Sequence, residues 1–262
     1  MDPGLRTAAT GMAAQQTRID VIANNLANVN TPGFKRSQAH FEDLLYQTIS
    51  GEQMVGGTAA DVTPAVQIGR GTRLAAVQRV HEQGTFEITG RPLDLAIDGD
   101  GLFQVRRPDG TSAYTRDGSF TISDQGVLVT SGGYAVIPEV RIPEDMTEVT
   151  VSRTGMVSAT GPGQAAPVEI GQVELVRFPN LPGLLSLGEN LYQETAASGQ
   201  PIIGAAQEDG FGRIIQGALE ASNVEVVQEM VEMIAALRAY EINAKAVEAS
   251  EQMADTTNQM VR

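Results

Sequence analysis

The chain has no cysteine and no tryptophan, only two histidines, and only 18 basic residues against 32 acidic ones. Without cysteine there can be no disulfide, thiolate metal site or cysteine nucleophile, which suits a protein that crosses redox compartments. The shortage of basic residues leaves a net charge of −14, which opposes nucleic acid or an anionic membrane surface as a main partner. No apolar run reaches the ~18 residues that a membrane-spanning helix needs, so no membrane insertion is expected. The start, MDPGLRTAATGMAAQQ, lacks a basic segment followed by an apolar block, so no cleaved secretory signal is expected. Five tyrosines and seven phenylalanines supply a sugar-stacking platform poorly.

What the 262 residues do contain is strong periodicity. Leu5, Ala8, Met12, Gln15, Ile19, Ile22, Leu26 and Val29 step by three and four, placing one side chain per half-heptad on a single seam. The helix then stops. Asn28 and Asn30 tolerate a left-handed backbone, Pro32 pushes Thr31 toward an extended conformation, and Gly33 permits the turn. At the other end, Val226, Met230, Met233, Leu237, Tyr240, Ala244 and Val247 repeat the seam pattern after a capping-box spacing at Ser222 and Glu225. This second helix is the expected partner of the first. A pair of seams this narrow buries little surface alone, so self-association through Met12, Ile19, Ile22, Leu26 and Val29 and through the C-terminal seam is expected. The alternative is a self-contained α+β globule whose termini pack together within one monomer.

Between the helices the period changes. Phe41 to Ile49 has the spacing of a second short helix, and Ser50 to Gly71 reads as a surface loop or an extended arm. From Leu93 the apolar residues alternate, and turn signals recur at Gly99–Gly101, Pro108–Gly110, Asp117–Gly118, Asp124–Gly126 and Ser131–Gly133. Turns this close leave no room for crossover helices, so the sheet is predicted to be an antiparallel meander. A further strand over Val168 to Phe178 slips its alternation at Gly171, which suggests a bulge. The fold class is therefore α+β. Residues 1–45 and 215–262 form a discontinuous helical coiled-coil domain, 46–71 a linking arm, and 72–214 an inserted, mainly antiparallel β domain.

No residue pattern argues for catalysis, a cofactor or a metal. His40 and His81 lie apart with no carboxylate cluster at ligand spacing, and Asp98-Gly99-Asp100-Gly101 is better explained as a tight turn than as a calcium loop. Gly69-Arg70-Gly71 is no phosphate loop, and neither Ser119 nor Ser131 belongs to a G-x-S-x-G elbow.

The stretches ANNLANVNTPGFKR (Ala23–Arg36) and SNVEVVQEMVEMIAALRAYEINAKAV (Ser222–Val247) resemble the two terminal signatures of the bacterial flagellar rod and hook axial proteins. DLAIDGDGLFQV, AYTRDGSF, LVTSGGYAV and LGENLYQETAASG fit between them in order. Asn24, Asn25, Asn28, Thr31, Pro32, Gly33 and Phe34, the expected helix-stop motif, lie within the stretch that resembles the N-terminal signature. FEDLLYQTIS followed by QIGRGTRLAAV is similar to distal rod members, with other rod subunits or a short hook protein as the alternative. The resemblance implies a non-enzymatic subunit that forms a helical tube around an export channel. Its helices would build the inner tube and its β domain the outer one, in the rod that crosses the periplasm. It also implies export by the flagellar type III apparatus, with proximal rod subunits below, hook-side proteins above, and P and L ring proteins around. In a different class, a secreted oligomeric binding module stays open from the residues alone.

Overall fold

The computed structural model describes residues 3–50, 53–54, 62–63, 66–143, 145–146, 148–161 and 166–260. The chain divides into two compact units: residues 1–26, 37–78 and 225–262 form one, and 27–36 with 79–224 form the other.

In the first unit, helix α1 (Pro3–Ala27) and the 35-residue helix α2 (Val226–Met260) pack antiparallel. Their contacts fix the direction. Asn25 Nδ2 donates to Glu229 Oε2 at 3.1 Å, Arg18 pairs with Glu232 at 3.3 Å, and a Cβ on Gly11 would lie 3.0 Å from the side-chain nitrogen of Asn243. Ala14 and Ala236, on the same stripes by helical spacing, are buried. Among the described residues, neither helix is long and apolar enough to cross a membrane.

The same unit holds a two-stranded ribbon where the sequence suggests a helix and a loop. Strand β1 (Ser37–Asp43) pairs with β6 (Thr72–Arg79), β2 (Gln47–Ser50) with β5 (Val66–Ile68), and β3 (Gln53–Met54) with β4 (Val62–Thr63). Gln47 opposes Ile68, Ser50 opposes Val66 and Met54 opposes Val62, so one register runs through the ribbon after a single bulge. The expected short helix over Phe41–Ile49 is thus replaced by β1 and β2. The β-forming Tyr46, Thr48 and Ile49 outweigh the helical spacing of Phe41, Leu44 and Leu45. The described part of Ser50–Gly71 is a paired arm, not an irregular loop. Strand β1 half-buries alternate residues, but these are Ser37, Ala39 and Phe41, too mixed in polarity to give a readable apolar period.

The second unit is the expected meander. Strands β7 (Phe86–Ile88) and β8 (Leu95–Asp98) pair with the returning strands β22 (Ala218–Glu220) and β21 (Arg213–Gln216). Strands β9 (Leu102–Arg106), β10 (Ser112–Thr115), β11 (Phe120–Ile122), β12 (Leu128–Thr130) and β13 (Ala135–Ile137) follow as antiparallel neighbours. Gly110, Gly126 and Gly133 occupy their turns at positive φ, as the turn signals require. Alternation on β9 sends Phe103 and Val105 into a core with Leu95, Ile97, Phe120, Val136, Leu175 and Ile214. Leu102 goes to a second cluster with Tyr114, Val176, Phe178 and Tyr192.

The predicted single strand over Val168–Phe178 is two. β14 (Glu148–Val151), β15 (Met156–Thr160) and β16 (Val168–Gln172) form a separate sheet, while β17 (Glu174–Arg177) joins β9. The expected bulge is present beside Gly171, where Gly171 opposes Val157 and Glu169 opposes Ser158 with Ile170 left over. The bend there lets the chain change sheets at Val173. Strands β18 (Leu185–Gly188), β19 (Leu191–Gln193) and β20 (Ile202–Ala205) complete the nine-stranded sheet.

Candidate assembly surfaces and the helix-stop junction

The helix-stop motif is pinned at nearly every residue. Asn25 is buried at the end of α1. Its amide donates to the Ser37 carbonyl at 2.9 Å and to Glu229, and its oxygen accepts the Ser37 N–H at 2.8 Å. The Thr31 N–H returns to the Asn28 carbonyl, and the Phe34 N–H to that of Thr31. The Pro32 carbonyl accepts from Asn190 Nδ2 at 3.0 Å. Gly33, at φ +69°, donates its N–H to the Glu220 carbonyl at 2.8 Å, and a Cβ there would lie 2.6 Å from the Asp117 backbone nitrogen. Two independent constraints therefore require glycine. Phe34 is buried, with the Arg79 guanidinium 5.4 Å above its ring and the same distance from the Tyr192 ring. Asn24 is exposed on α1.

Next to the motif is a buried ion cluster that periodicity does not reveal. Glu220 Oε1 meets Lys35 Nζ at 2.5 Å, and its Oε2 meets Arg116 Nε at 2.5 Å; all three side chains are essentially buried. Further hydrogen bonds surround the cluster. Lys35 also donates to the Glu82 carbonyl, the Gly84 N–H donates to Glu220, and Arg116 donates to the carbonyls of Ile97, Gly99 and Gly101. Burial alone would raise the Glu220 pKa, but the Arg116 and Lys35 charges outweigh it and hold the carboxyl below its ordinary value. Burial lowers the Lys35 pKa, with Glu220 offsetting part of the effect. His81 packs 5.6 Å from the Tyr192 ring and is pushed down to about 4, first by burial and then by Lys35, Arg79 and Arg116. Asn223 ties the same region together: its oxygen accepts the Arg36 N–H, and its amide donates to the Val80 and Glu82 carbonyls. Asp98, the turn carboxylate considered as an ion ligand, is paired with Arg213 at 2.6 Å.

The expected seams do not simply face each other. On α1 the contacts with α2 fall on Gly11, Arg18 and Asn25, one residue away from Met12, Ile19 and Leu26; Met12, Ile19, Leu26 and Val29 are half-buried and Ile22 is buried. On α2 they fall on Glu229, Glu232 and Asn243. Val226, Met230, Leu237 and Tyr240 stay exposed, and Met233, Ala244 and Val247 are half-buried. A second apolar row, with Val227 70%, Val231 62% and Ile234 50% exposed, lies beside them. The expected start of α2 also shifts. Ser222 Oγ accepts the Val224 N–H instead of capping the helix, whose first bond runs from Glu229 N–H to the Glu225 carbonyl.

Residues 5–35 match the family model described as flagella basal body rod protein. Residues 96–159 match the D1 domain of the flagellar hook protein FlgE/F/G, and 215–260 the C-terminal part of the flagellar basal body rod FlgEFG protein. The chain is 47% identical over 257 residues to the flagellar basal-body rod protein FlgG of Caulobacter vibrioides, covering 98% of both chains. The chain belongs to the flagellar basal-body rod family. The FlgG protein of Borreliella burgdorferi is 49% identical over 263 residues, again with 98% of each chain covered. That of Bacillus subtilis is 39% identical over 254 residues, with 95% of each chain covered.

The three family segments converge on one point. Lys35 is the last residue of the first, Arg116 lies in the second and Glu220 in the third. Lys35 lies in the N-terminal signature and Arg116 in AYTRDGSF, while Glu220 falls two residues before the C-terminal signature, and nothing in their spacing marks them as mutual partners. The one available signal was a charged residue adjoining a buried turn.

Proposed function

We propose that this rod-family chain is a non-enzymatic structural subunit of the distal rod, self-assembling helically around an export channel and transmitting torque from motor to hook. One observation supports this reading above the rest. Helix α2 meets α1 through Glu229, Glu232 and Asn243, while Val226, Met230, Leu237, Tyr240, Val227, Val231 and Ile234 are left in water. A helix apolar on more than one face needs more neighbours than its own chain supplies. Residues 1–45 and 215–262 are then the inner, assembling part, 46–71 an arm that stiffens the tube against neighbouring copies, and 72–214 the outer part. The corresponding setting is a rod crossing the periplasm, reached through the type III apparatus. Proximal rod subunits lie below, hook-side proteins above, and the P and L rings around.

Leu237→Asp tests the reading. Leu237 is exposed in the single chain, so the monomer's melting temperature should hold while sedimentable tubes disappear from electron micrographs. Normal tubes from this variant would refute the proposed interface.

A further inference from the structure

Six strands of the nine-stranded sheet form one row: β20, β17, β9, β10, β19, β18. Every pairing in that row is antiparallel. Among the described residues, β18 pairs only with β19 and β20 only with β17, so the row ends in two open edges. Neither edge carries a charge, a proline or an inward-pointing lysine. β18 reads Leu-Ser-Leu-Gly and β20 reads Ile-Ile-Gly-Ala. Leu185 is 54% exposed, and Ile202 and Ile203 are 46% and 51% exposed. Exposed, uncharged, aliphatic edges are what soluble sheets ordinarily avoid, because they recruit another strand.

We propose that the β18 edge of one copy pairs with the β20 edge of the next, so that the sheet runs on from subunit to subunit. This rests on the self-assembly reading above. The occupant follows from strand parity. Directions alternate along an antiparallel row, and six is an even number, so β18 and β20 of one chain point in opposite directions. A copy placed alongside in the same orientation brings its β20 antiparallel to β18, continuing the alternation without a break. The contact joins two different surfaces, and a heterologous contact propagates into an open filament where a two-fold contact would close on itself. Six strands at ~4.8 Å spacing make each copy add roughly 29 Å of sheet.

The chain's lack of cysteine gives a clean background for the test. The variants are Leu185→Cys with Ile203→Cys, Leu187→Cys with Ile203→Cys, and each single change. Each full-length protein is polymerised, mildly oxidised, and run on a non-reducing gel. Directly opposed residues in an antiparallel pair bring Cα atoms within disulfide reach. At least one double variant should give a ladder of dimers, trimers and longer chains, and the single variants none. Normal tubes without a ladder would overturn the edge contact and leave self-assembly standing. Dimers from a single variant would show a two-fold β18 or β20 contact and overturn the proposal. If the parent protein forms no sedimentable polymer, the self-assembly reading fails first and takes the edge contact with it. All the substituted side chains are exposed, so unchanged melting of the monomers checks that the fold is intact.

Discussion

Glu220→Gln keeps the shape of the side chain and removes the one negative charge between Lys35 and Arg116. In the native chain Glu220 receives Lys35, Arg116 and the Gly84 N–H, and all three side chains are screened from water. The variant leaves two buried cations facing each other and an amide NH₂ where an acceptor stood. Losing one partner of a buried pair costs about 3–5 kcal/mol. That is a large share of the ~5–15 kcal/mol stabilising an ordinary domain. For a unit of this size the melting temperature should fall by roughly 2–4 °C per kcal/mol, so about 6–20 °C in all. Lys35→Met removes a cation but leaves Glu220 paired with Arg116, and should cost less, about 1–3 kcal/mol. The measurement is calorimetry and urea unfolding of the monomer at neutral pH. If Glu220→Gln melts within 2 °C of the parent, or Lys35→Met proves the more damaging of the two, the cluster is not the charge-balanced joint described above.

Other expectations follow from the same contacts. Gly33→Ala forces a side chain at φ +69° into the Arg116–Asp117 backbone. It should cost about 1–3 kcal/mol or more in urea unfolding, whereas Gly110→Ala, with open space around it, should cost less. Asn25→Ala deletes two donated bonds and one accepted bond at the end of α1. Amide exchange at the C-terminal end of α1 should accelerate about tenfold or more, with the β unit unchanged. Acidification should destabilise the protein. The His81 pKa lies at about 4 in the folded chain, below its ordinary 6.5, so the unfolded chain binds the extra proton and stability falls as pH drops between those values. The Glu220 pKa is also depressed, so its contribution is lost at still lower pH. The His81 shift alone should remove roughly 2–4 kcal/mol between pH 7 and 4, and His81→Phe should flatten that part of the curve.

The meander was legible because sheets with one buried face enforce alternation, and because glycine marks the turns that need positive φ. Residues such as Leu95, Ile97, Phe103 and Val105 carry that signal directly. The helices were legible as helices, but the face that meets the partner within the chain was not. Apolar spacing points to Met12 and Leu237, while the single chain packs through Gly11, Arg18, Asn25 and Glu229, whose small size and polarity read as surface. The ribbon that starts at Ser37 escaped because the half-buried face of β1 is made of Ser37, Ala39 and Phe41, which show no apolar alternation. The ion cluster escaped because Lys35, Arg116 and Glu220 lie far apart in sequence, and an isolated charge says nothing about its partner.

The bare rows of α2 have a kinetic consequence. Each of Val227, Val231, Ile234 and Met230 loses favourable burial for as long as the chain is alone. In the proposed assembly the first few copies to meet would recover only part of it, since every helix in a small cluster would still show one face to water. Later arrivals would recover more. On that proposal, growth on an existing end would be far easier than starting afresh, and dilute subunits should stay single until a seed is offered. A sedimentation series against concentration should show a lag that pre-formed tubes abolish.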